Sequence, residues 1–158
     1  MKQIAVVFYS RTGNTEAMAR IIADEVNKAS DIKAEVFNVE GFPADKALEY
    51  DGLIVGSPTY YGAMAYQIKE FFDDSVRFHG SLRGKVGGAF SSAANVGGGN
   101  ETTIMGILGA MLIHGMVVQG TEKGDHFGPV AIDKPDARAE DGCRALGKRV
   151  VDLVNKLA

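Results

Sequence analysis

Short apolar runs alternate along the chain with segments in which apolar residues recur every three or four positions. The runs are rich in β-branched and aromatic residues and do not alternate with polar ones, which is typical of strands buried on both faces. The other segments have the periodicity of amphipathic helices. This pattern predicts strands over residues 3–9, 35–39, 53–57, 85–92 and 116–119, and helices whose apolar stripes cover 18–26, 68–76, 104–112 and 139–157.

This alternation predicts an α/β fold, a doubly wound five-stranded parallel sheet with helices on both faces. Its crossovers should be right-handed. A chain of 158 residues is long enough for one core, and no repeat or linker divides it, so we expect a single domain over residues 1–158. The Gly/Asp/Pro-rich segment 120–135 is predicted to be a loop.

Composition excludes several classes of protein. A net charge of −3 gives no electrostatic footprint for nucleic acid, and a hydrophobic fraction of 46% argues against disorder. The single cysteine, Cys143, cannot form an intramolecular disulfide and falls on an apolar stripe, so we expect a buried, inert thiol. No histidine pairs with carboxylates in a ligand-like pattern, so no metal site is predicted. Because the start of the chain does not resemble a signal peptide and no apolar run is long enough for a membrane helix, we expect a cytoplasmic protein without membrane insertion.

Glycine is the one unusual component. Thirteen of the 20 glycines lie between Gly80 and Gly128. Gly87 and Gly88 weaken the fourth predicted strand, and Gly106 and Gly109 weaken the helix after it, unless another element packs closely there. We therefore expect close packing around this strand and helix, within the chain or against another subunit.

The loop after the first strand has the chemistry of a phosphate site. Gly13 lets successive N–H groups converge, and the helix that begins there adds unpaired N–H groups and a positive dipole end. The loop is neither a P-loop nor a Gly-x-Gly-x-x-Gly dinucleotide motif. A helix start capped by a side chain is the alternative, because Ser, Thr and Asn are all good caps. The sequence of the loop is Ser10-Arg11-Thr12-Gly13-Asn14-Thr15.

Two further loops follow strands three and four. Adjacent tyrosines in the first of these are suited to stacking on a planar ring, or else they cover the rim of the core. The small residues of the second permit close backbone approach to a ligand, although a glycine triplet taken alone is more often a flexible turn. The two segments are Pro58-Thr59-Tyr60-Tyr61-Gly62 and Ser92-Ala93-Ala94-Asn95-Val96-Gly97-Gly98, which Gly99 extends.

These three loops resemble the FMN-binding loops of the flavodoxin superfamily, and the order of elements matches along the whole chain. The second and third loops, with His114-Gly115-Met116-Val117, are most similar to WrbA-type NAD(P)H:quinone oxidoreductases. The first loop is closer to flavodoxins. The chain departs from the WrbA type because it lacks a second histidine beside His114 and the Trp-bearing segment after Gly62.

The resemblance implies how the loops would be used. It implies non-covalent FMN, with the phosphate on residues 10–15 and the ring between Tyr60/Tyr61 and residues 93–98. The strand order would be 2-1-3-4-5 with the ligand at the carboxyl ends of strands one and three, a rule for which flavodoxin is itself an example. His114 would lie near the ring or substrate, the alternative being a histidine that merely ends a helix. Arg11 either is simply exposed or attracts the phosphate of a nicotinamide nucleotide.

Three functions are consistent with these residues. The leading hypothesis is an FMN-dependent oxidoreductase that passes electrons from NAD(P)H to a quinone or similar small acceptor, which the resemblance implies to be a homo-oligomer. No catalytic side chain is obligatory, because the cofactor carries the chemistry. The alternative is a one-electron carrier that docks to redox partner proteins. A binding or regulatory module without redox turnover is the third hypothesis.

Overall fold

The computed structural model describes residues 1–157, which contain seven strands and four α-helices. Short 3-10 helices lie at Val39–Gly41, Ala44–Glu49 and Ser75–Phe78. The strands are β1 Lys2–Phe8, β2 Ile32–Asn38, β3 Gly52–Tyr60, β4 Ala63–Met64, β5 Val86–Ala93, β6 Val117–Val118 and β7 Val130–Ile132. The helices are α1 Asn14–Val26, α2 Tyr66–Asp74, α3 Asn100–Ile113 and α4 Ala137–Leu157.

The sheet has the predicted parallel order. β2, β1, β3, β5 and β6 are neighbours in that sequence, which corresponds to 2-1-3-4-5 for the five predicted strands. β7 also pairs in parallel with β5, at Ser91–Ala93, whereas β6 pairs with Val86 and Gly87. The fifth position is therefore filled by two short strands, with residues 119–129 inserted between them.

The prediction of an unbroken loop over 120–135 is wrong, because β7 lies inside it. β7 has only three residues, between Pro129 and Asp133, and so few residues show no hydrophobic period. Their pairing with β5 is what identifies them as a strand. The predicted helix over 68–76 also extends too far. α2 ends at Asp74, where the Ser75 hydroxyl donates to the carbonyl oxygen of Phe72 at 2.6 Å, and Val76 is 70% exposed.

Helices cover both faces of the sheet, as predicted. α1 and α4 pack on one face against Ile4, Val6 and Phe90. α2 and α3 pack on the other face against Val7 and Val55. The predicted burial of Cys143 is confirmed, since the residue has no exposed surface, and burial raises the pKa of its thiol to about 12. The outer ends of two predicted stripes, Leu112 and Leu157, are instead exposed.

Glycines in β3 and β5 bring large side chains against the backbone of the sheet. A Cβ atom on Gly56 would lie 2.1 Å from ring atoms of Phe90, and one on Gly87 would lie 2.8 Å from the sulfur of Met111. A Cβ on Gly88 would be 3.1 Å from Leu146. The predicted close packing of this strand is thus confirmed within the chain. At Gly109 a Cβ would meet no atom of the chain within 4 Å, so the chain itself supplies no close packing there.

Two glycine substitutions test this contrast. Gly56→Ala should lower the free energy of unfolding by about 1–3 kcal/mol, because the fully buried Phe90 ring must move. Gly109→Ala, in open space within α3, should raise it by about 1 kcal/mol, because alanine is the better helix former. Urea unfolding of both variants measures the difference, and a Gly56→Ala protein as stable as the wild type would contradict the packing described.

Candidate functional site

Three loops meet at the edge of the sheet where the parallel strands end. The loops follow β1, β3 and β5, which are adjacent in the sheet. Together with residue 133 beyond β7 they surround an open cavity of about 440 Å³. The cavity is lined by Ser10, Arg11, Thr12, Asn14, Thr15, Pro58, Thr59, Tyr60, Ser92, Ala93, Ala94 and Asp133.

The first loop places the start of α1 at this cavity, and no side chain caps that helix start. Gly13 occupies the N-cap position with φ 95°, and no side chain accepts a hydrogen bond from the first turn. The Ser10 hydroxyl oxygen instead accepts from the N–H of Gly13 at 3.1 Å. The first N–H groups of a helix have no partner within the helix. They and the dipole therefore stay available to an anion, which the alternative of a capped helix start would not allow.

Thr15 joins the first loop to the third. Its side chain is buried, and its hydroxyl lies 2.9 Å from the hydroxyl of Ser92. Either group can donate, so the pair keeps one proton for a further acceptor in the cavity. The floor of the cavity is therefore polar, and this hydrogen bond joins two residues that are 77 positions apart in the sequence.

The second loop separates the two tyrosines. Tyr60 lies in the cavity wall and is 38% exposed, whereas Tyr61 is fully exposed and outside it. Tyr61 and Gly62 form the two-residue turn between β3 and β4, with φ values of 51° and 75°, as in hairpins of type I′. Burial, and next the neighbouring Tyr9, raises the pKa of Tyr60, while Arg11 lowers it. The Tyr60 hydroxyl therefore keeps its proton at neutral pH.

Only the first part of the third loop faces the cavity. Ala93 and Ala94 line it beside Ser92, and the loop then turns away, closed by a hydrogen bond from the N–H of Gly98 to the carbonyl oxygen of Asn95 at 3.2 Å. Val96 is 85% exposed. Val96, Gly97 and Gly99 line a neighbouring cavity of about 490 Å³ on the far side of this loop.

Asp133 is a cavity residue that the sequence reasoning missed. It follows β7 with φ 54°, and its N–H donates to the carbonyl oxygen of Ala93 at 2.8 Å. The available signal was an aspartate in a Gly/Asp/Pro-rich segment, a residue that tolerates this conformation. Without β7 nothing in the sequence placed that segment beside the third loop.

The structure does not bring His114 to the cavity, and the expectation that it lies there within this chain is wrong. His114 follows the last residue of α3, whereas the cavity lies at the first turn, and a helix of 14 residues spans about 20 Å. Its Nε2 atom lies 2.6 Å from the hydroxyl of Ser75, and the residue is 6% exposed. Burial, followed by the effect of His79, lowers the pKa of His114.

The chain is similar in sequence to known proteins along almost its whole length. The sequence model of the family "Flavodoxin" matches residues 6–103. The chain belongs to the flavodoxin family. It is 30% identical over 160 residues to "Flavodoxin" of Clostridium saccharobutylicum, covering 98% of this chain and 99% of that protein. It is 34% identical over 198 residues to "NAD(P)H dehydrogenase (quinone)" of Gluconacetobacter diazotrophicus, covering all of both chains.

Solved flavodoxin-like structures superpose on the chain throughout. A flavodoxin from the domain Archaea has a TM-score of 0.79 at 27% identity and covers 97% of this chain and 99% of that one. A WrbA-like flavodoxin from Agrobacterium tumefaciens has a TM-score of 0.84 and covers all of both chains, with 23% identity. Family membership implies non-covalent FMN as the cofactor. The uncapped start of α1 suits its phosphate, and the wall formed by Tyr60 and the small residues Ala93 and Ala94 suits a flat ring.

Within residues 1–157, no helix combines the length and apolar character needed to cross a membrane. The same residues contain no group of three or more histidine, cysteine or acidic side chains arranged to hold a metal ion.

Gly13→Val tests the phosphate site. A β-branched side chain is strained at φ 95°, so the loop should change conformation and FMN should bind about tenfold more weakly or worse. Gly124→Val is the matched control, because Gly124 also has a positive φ and open surroundings but lies outside the cavity. Quenching of flavin fluorescence on titration of the apoprotein measures the affinity. Equal FMN affinity in both variants would refute the placement of the phosphate.

Proposed function

We propose that the protein is an FMN-dependent oxidoreductase that takes electrons from NAD(P)H and passes them to a quinone or similar small acceptor. The observation that carries this proposal is the charge around the cavity. The segments expected beside the flavin ring, residues 57–62 and 93–98, contain no acidic residue, and the charged side chains in the cavity wall are Arg11 and Asp133, one of each sign. Such a surface admits an anionic nucleotide, whereas an acidic rim would suit a basic protein partner.

Residues of the first loop would bind the phosphate of FMN. The N–H groups at the start of α1 would donate to the anion, and the side chains of Ser10, Thr12 and Asn14 would supply further donors from the cavity wall. The Thr15–Ser92 pair can give its spare proton to the same ligand. The carboxylate of Asp133 offers an acceptor to hydroxyl groups of the ligand.

Residues of the second and third loops would bind the ring. Tyr60 offers its face or edge from one side, and Ala93 and Ala94 allow the backbone to approach from the other. The proposed binding set also includes Pro58 and Thr59, which line the cavity. Tyr61, Gly62 and residues 95–98 belong to it as the parts of the two loops that hold the lining residues in place. Bound FMN would supply the hydride and electron chemistry, and the protein would position it and tune its potential.

The relatives support this proposal and also a second candidate. Several are named NAD(P)H dehydrogenase (quinone), at 30–36% identity. The alignment with the Gluconacetobacter protein, however, spans 198 positions against 158 residues here, whereas that with the Clostridium flavodoxin spans 160. The compact length favours a flavodoxin-type electron carrier that docks to redox partner proteins, and we retain it as the alternative.

Exposed apolar side chains on α3 support a homo-oligomer. No charged residue occurs between Thr102 and Ile113, and a helix that is apolar all round is normally buried. Met105, Leu112 and Ile113 are nevertheless exposed in the single chain. We propose that a second copy covers them. A cytoplasmic location stays a prediction.

Anaerobic titration of the FMN-loaded protein with NADH and NADPH, followed by a quinone, separates the candidates. The proposal predicts loss of the flavin absorbance on nucleotide addition and its return with the quinone. Reduction by dithionite but by neither nucleotide would favour the carrier. A protein that takes up no FMN would favour a non-redox module.

Charge reversal at Arg11 tests the nucleotide approach. Arg11→Glu should raise the KM for NAD(P)H about fivefold to tenfold at low ionic strength, while reduction by dithionite is unchanged. Arg77→Glu reverses an exposed charge in the segment after α2, away from the cavity wall, and should change neither value. Equal KM values for the two variants would count against a role for Arg11.

A further inference from the structure

The turn between β3 and β4 rests directly on the start of α3. A Cβ atom on Gly99, the N-cap residue of α3, would lie 2.6 Å from the Cα atom of Gly62. The two glycine backbones are therefore in contact. The hydroxyl of Thr102, in the first turn of α3, lies 2.6 Å from the carbonyl oxygen of Gly62 and 2.9 Å from that of Gly99.

Counting protons shows which of the two carbonyl oxygens accepts the hydrogen bond from the Thr102 hydroxyl. The carbonyl oxygen of Gly99 faces three donors: the N–H of Thr103 at 3.0 Å, the Thr103 hydroxyl at 2.9 Å and the Thr102 hydroxyl at 2.9 Å. A carbonyl has two lone pairs, and the helical N–H takes one. Because the contact to Gly62 is the shorter of the two that Thr102 makes, its proton belongs to Gly62.

The start of α3 is itself fixed to the sheet through Asn100. The side-chain oxygen of Asn100 accepts from the hydroxyl of Ser91 in β5 at 2.7 Å and from that of Thr59 in β3 at 3.1 Å. Both of its lone pairs are then filled. Thr102 stands in this anchored first turn and therefore connects the hairpin turn to the sheet.

The turn needs an external support, since Tyr61 holds a left-handed conformation that is unfavourable for a residue with a side chain. Tyr60, immediately before this turn, forms the cavity wall. A hydroxyl that holds the turn in place therefore holds the wall as well, before any ligand arrives. Such preorganisation increases affinity by reducing the ordering that binding requires.

We propose that Thr102 is a positioning residue that fixes the β3–β4 turn, and with it the Tyr60 wall, for binding of the flavin ring. The proposal rests on the proposed function for the identity of its ligand. Thr102 does not line the cavity proposed for flavin, although it lines the neighbouring one, and it acts through the carbonyl group of Gly62. The exposed position of its side chain allows substitution without disturbing the core.

Two variants that differ by a hydroxyl test this role. Thr102→Val keeps the branched shape and loses the donor, and Thr102→Ser keeps the donor. Thr102→Val should bind both FMN and riboflavin about fivefold to tenfold more weakly, because the ring-side wall is shared by the two ligands. Thr102→Ser should stay within about twofold of the wild type. The ratio of the two affinities should not change, unlike the ratio for Gly13→Val.

Hydrogen exchange of the apoprotein provides a readout that does not depend on flavin. Amides of residues 60–64 should exchange several-fold faster in Thr102→Val than in the wild type or in Thr102→Ser. If the wild type binds no flavin, the proposed function and this ligand-positioning role both fail, while exchange still reports whether Thr102 fixes the turn. Unchanged exchange in Thr102→Val, unchanged flavin affinity in it, or equal defects in both variants would each overturn the proposal.

Discussion

Parallel pairing of β1 with β3 and of β3 with β5 is the constraint on which the candidate site depends. Because parallel strands end at the same edge, the three loops that follow them open onto one cavity although they are separated by tens of residues in sequence. The register places Pro58 beside Ser92 at the end of the shared ladder. Thr15 and Ser92 then complete the link between the first and third loops.

Tight packing beneath this edge keeps the strands in place. Gly56 accommodates the ring of the fully buried Phe90, and Gly87 and Gly88 allow residues of α3 and α4 to lie against β5. The glycines of the loops have a different use. Gly13 and Gly99 adopt positive φ values at the N-caps of α1 and α3, where each leaves its helix start without a side-chain cap. One residue type thus supports both the packing of the core and the shape of the cavity.

The sequence predicted the sheet and the first loop because their signals are local. The apolar strand before Ser10 and the helical stripe after Thr15 are both strong signals, and they bound a short polar loop that contains Gly13. Tyr60 and Tyr61 could not be separated, since a tight hairpin directs neighbouring residues to different sides. β7 and Asp133 were missed because a strand of three residues has no measurable period, and its position depends on pairing with β5.

His114 is a residue that the sequence analysis placed at the site and the structure does not. It was implied only by the resemblance, whereas a helix that leads into a parallel strand ends at the edge of the sheet opposite the cavity. Asn100 and Thr102 were not identified because polar residues at a helix start also fit ordinary capping. Their contacts with Ser91, Thr59 and Gly62 appear only when three distant segments are assembled.

The central claim is that the cavity holds FMN by its phosphate at the start of α1. Titration of the apoprotein with FMN and with riboflavin, under one ionic strength, tests it most directly. Charge-assisted hydrogen bonds from N–H groups and hydroxyls should make FMN bind about a hundredfold more tightly than riboflavin. Equal dissociation constants for the two ligands would contradict the claim.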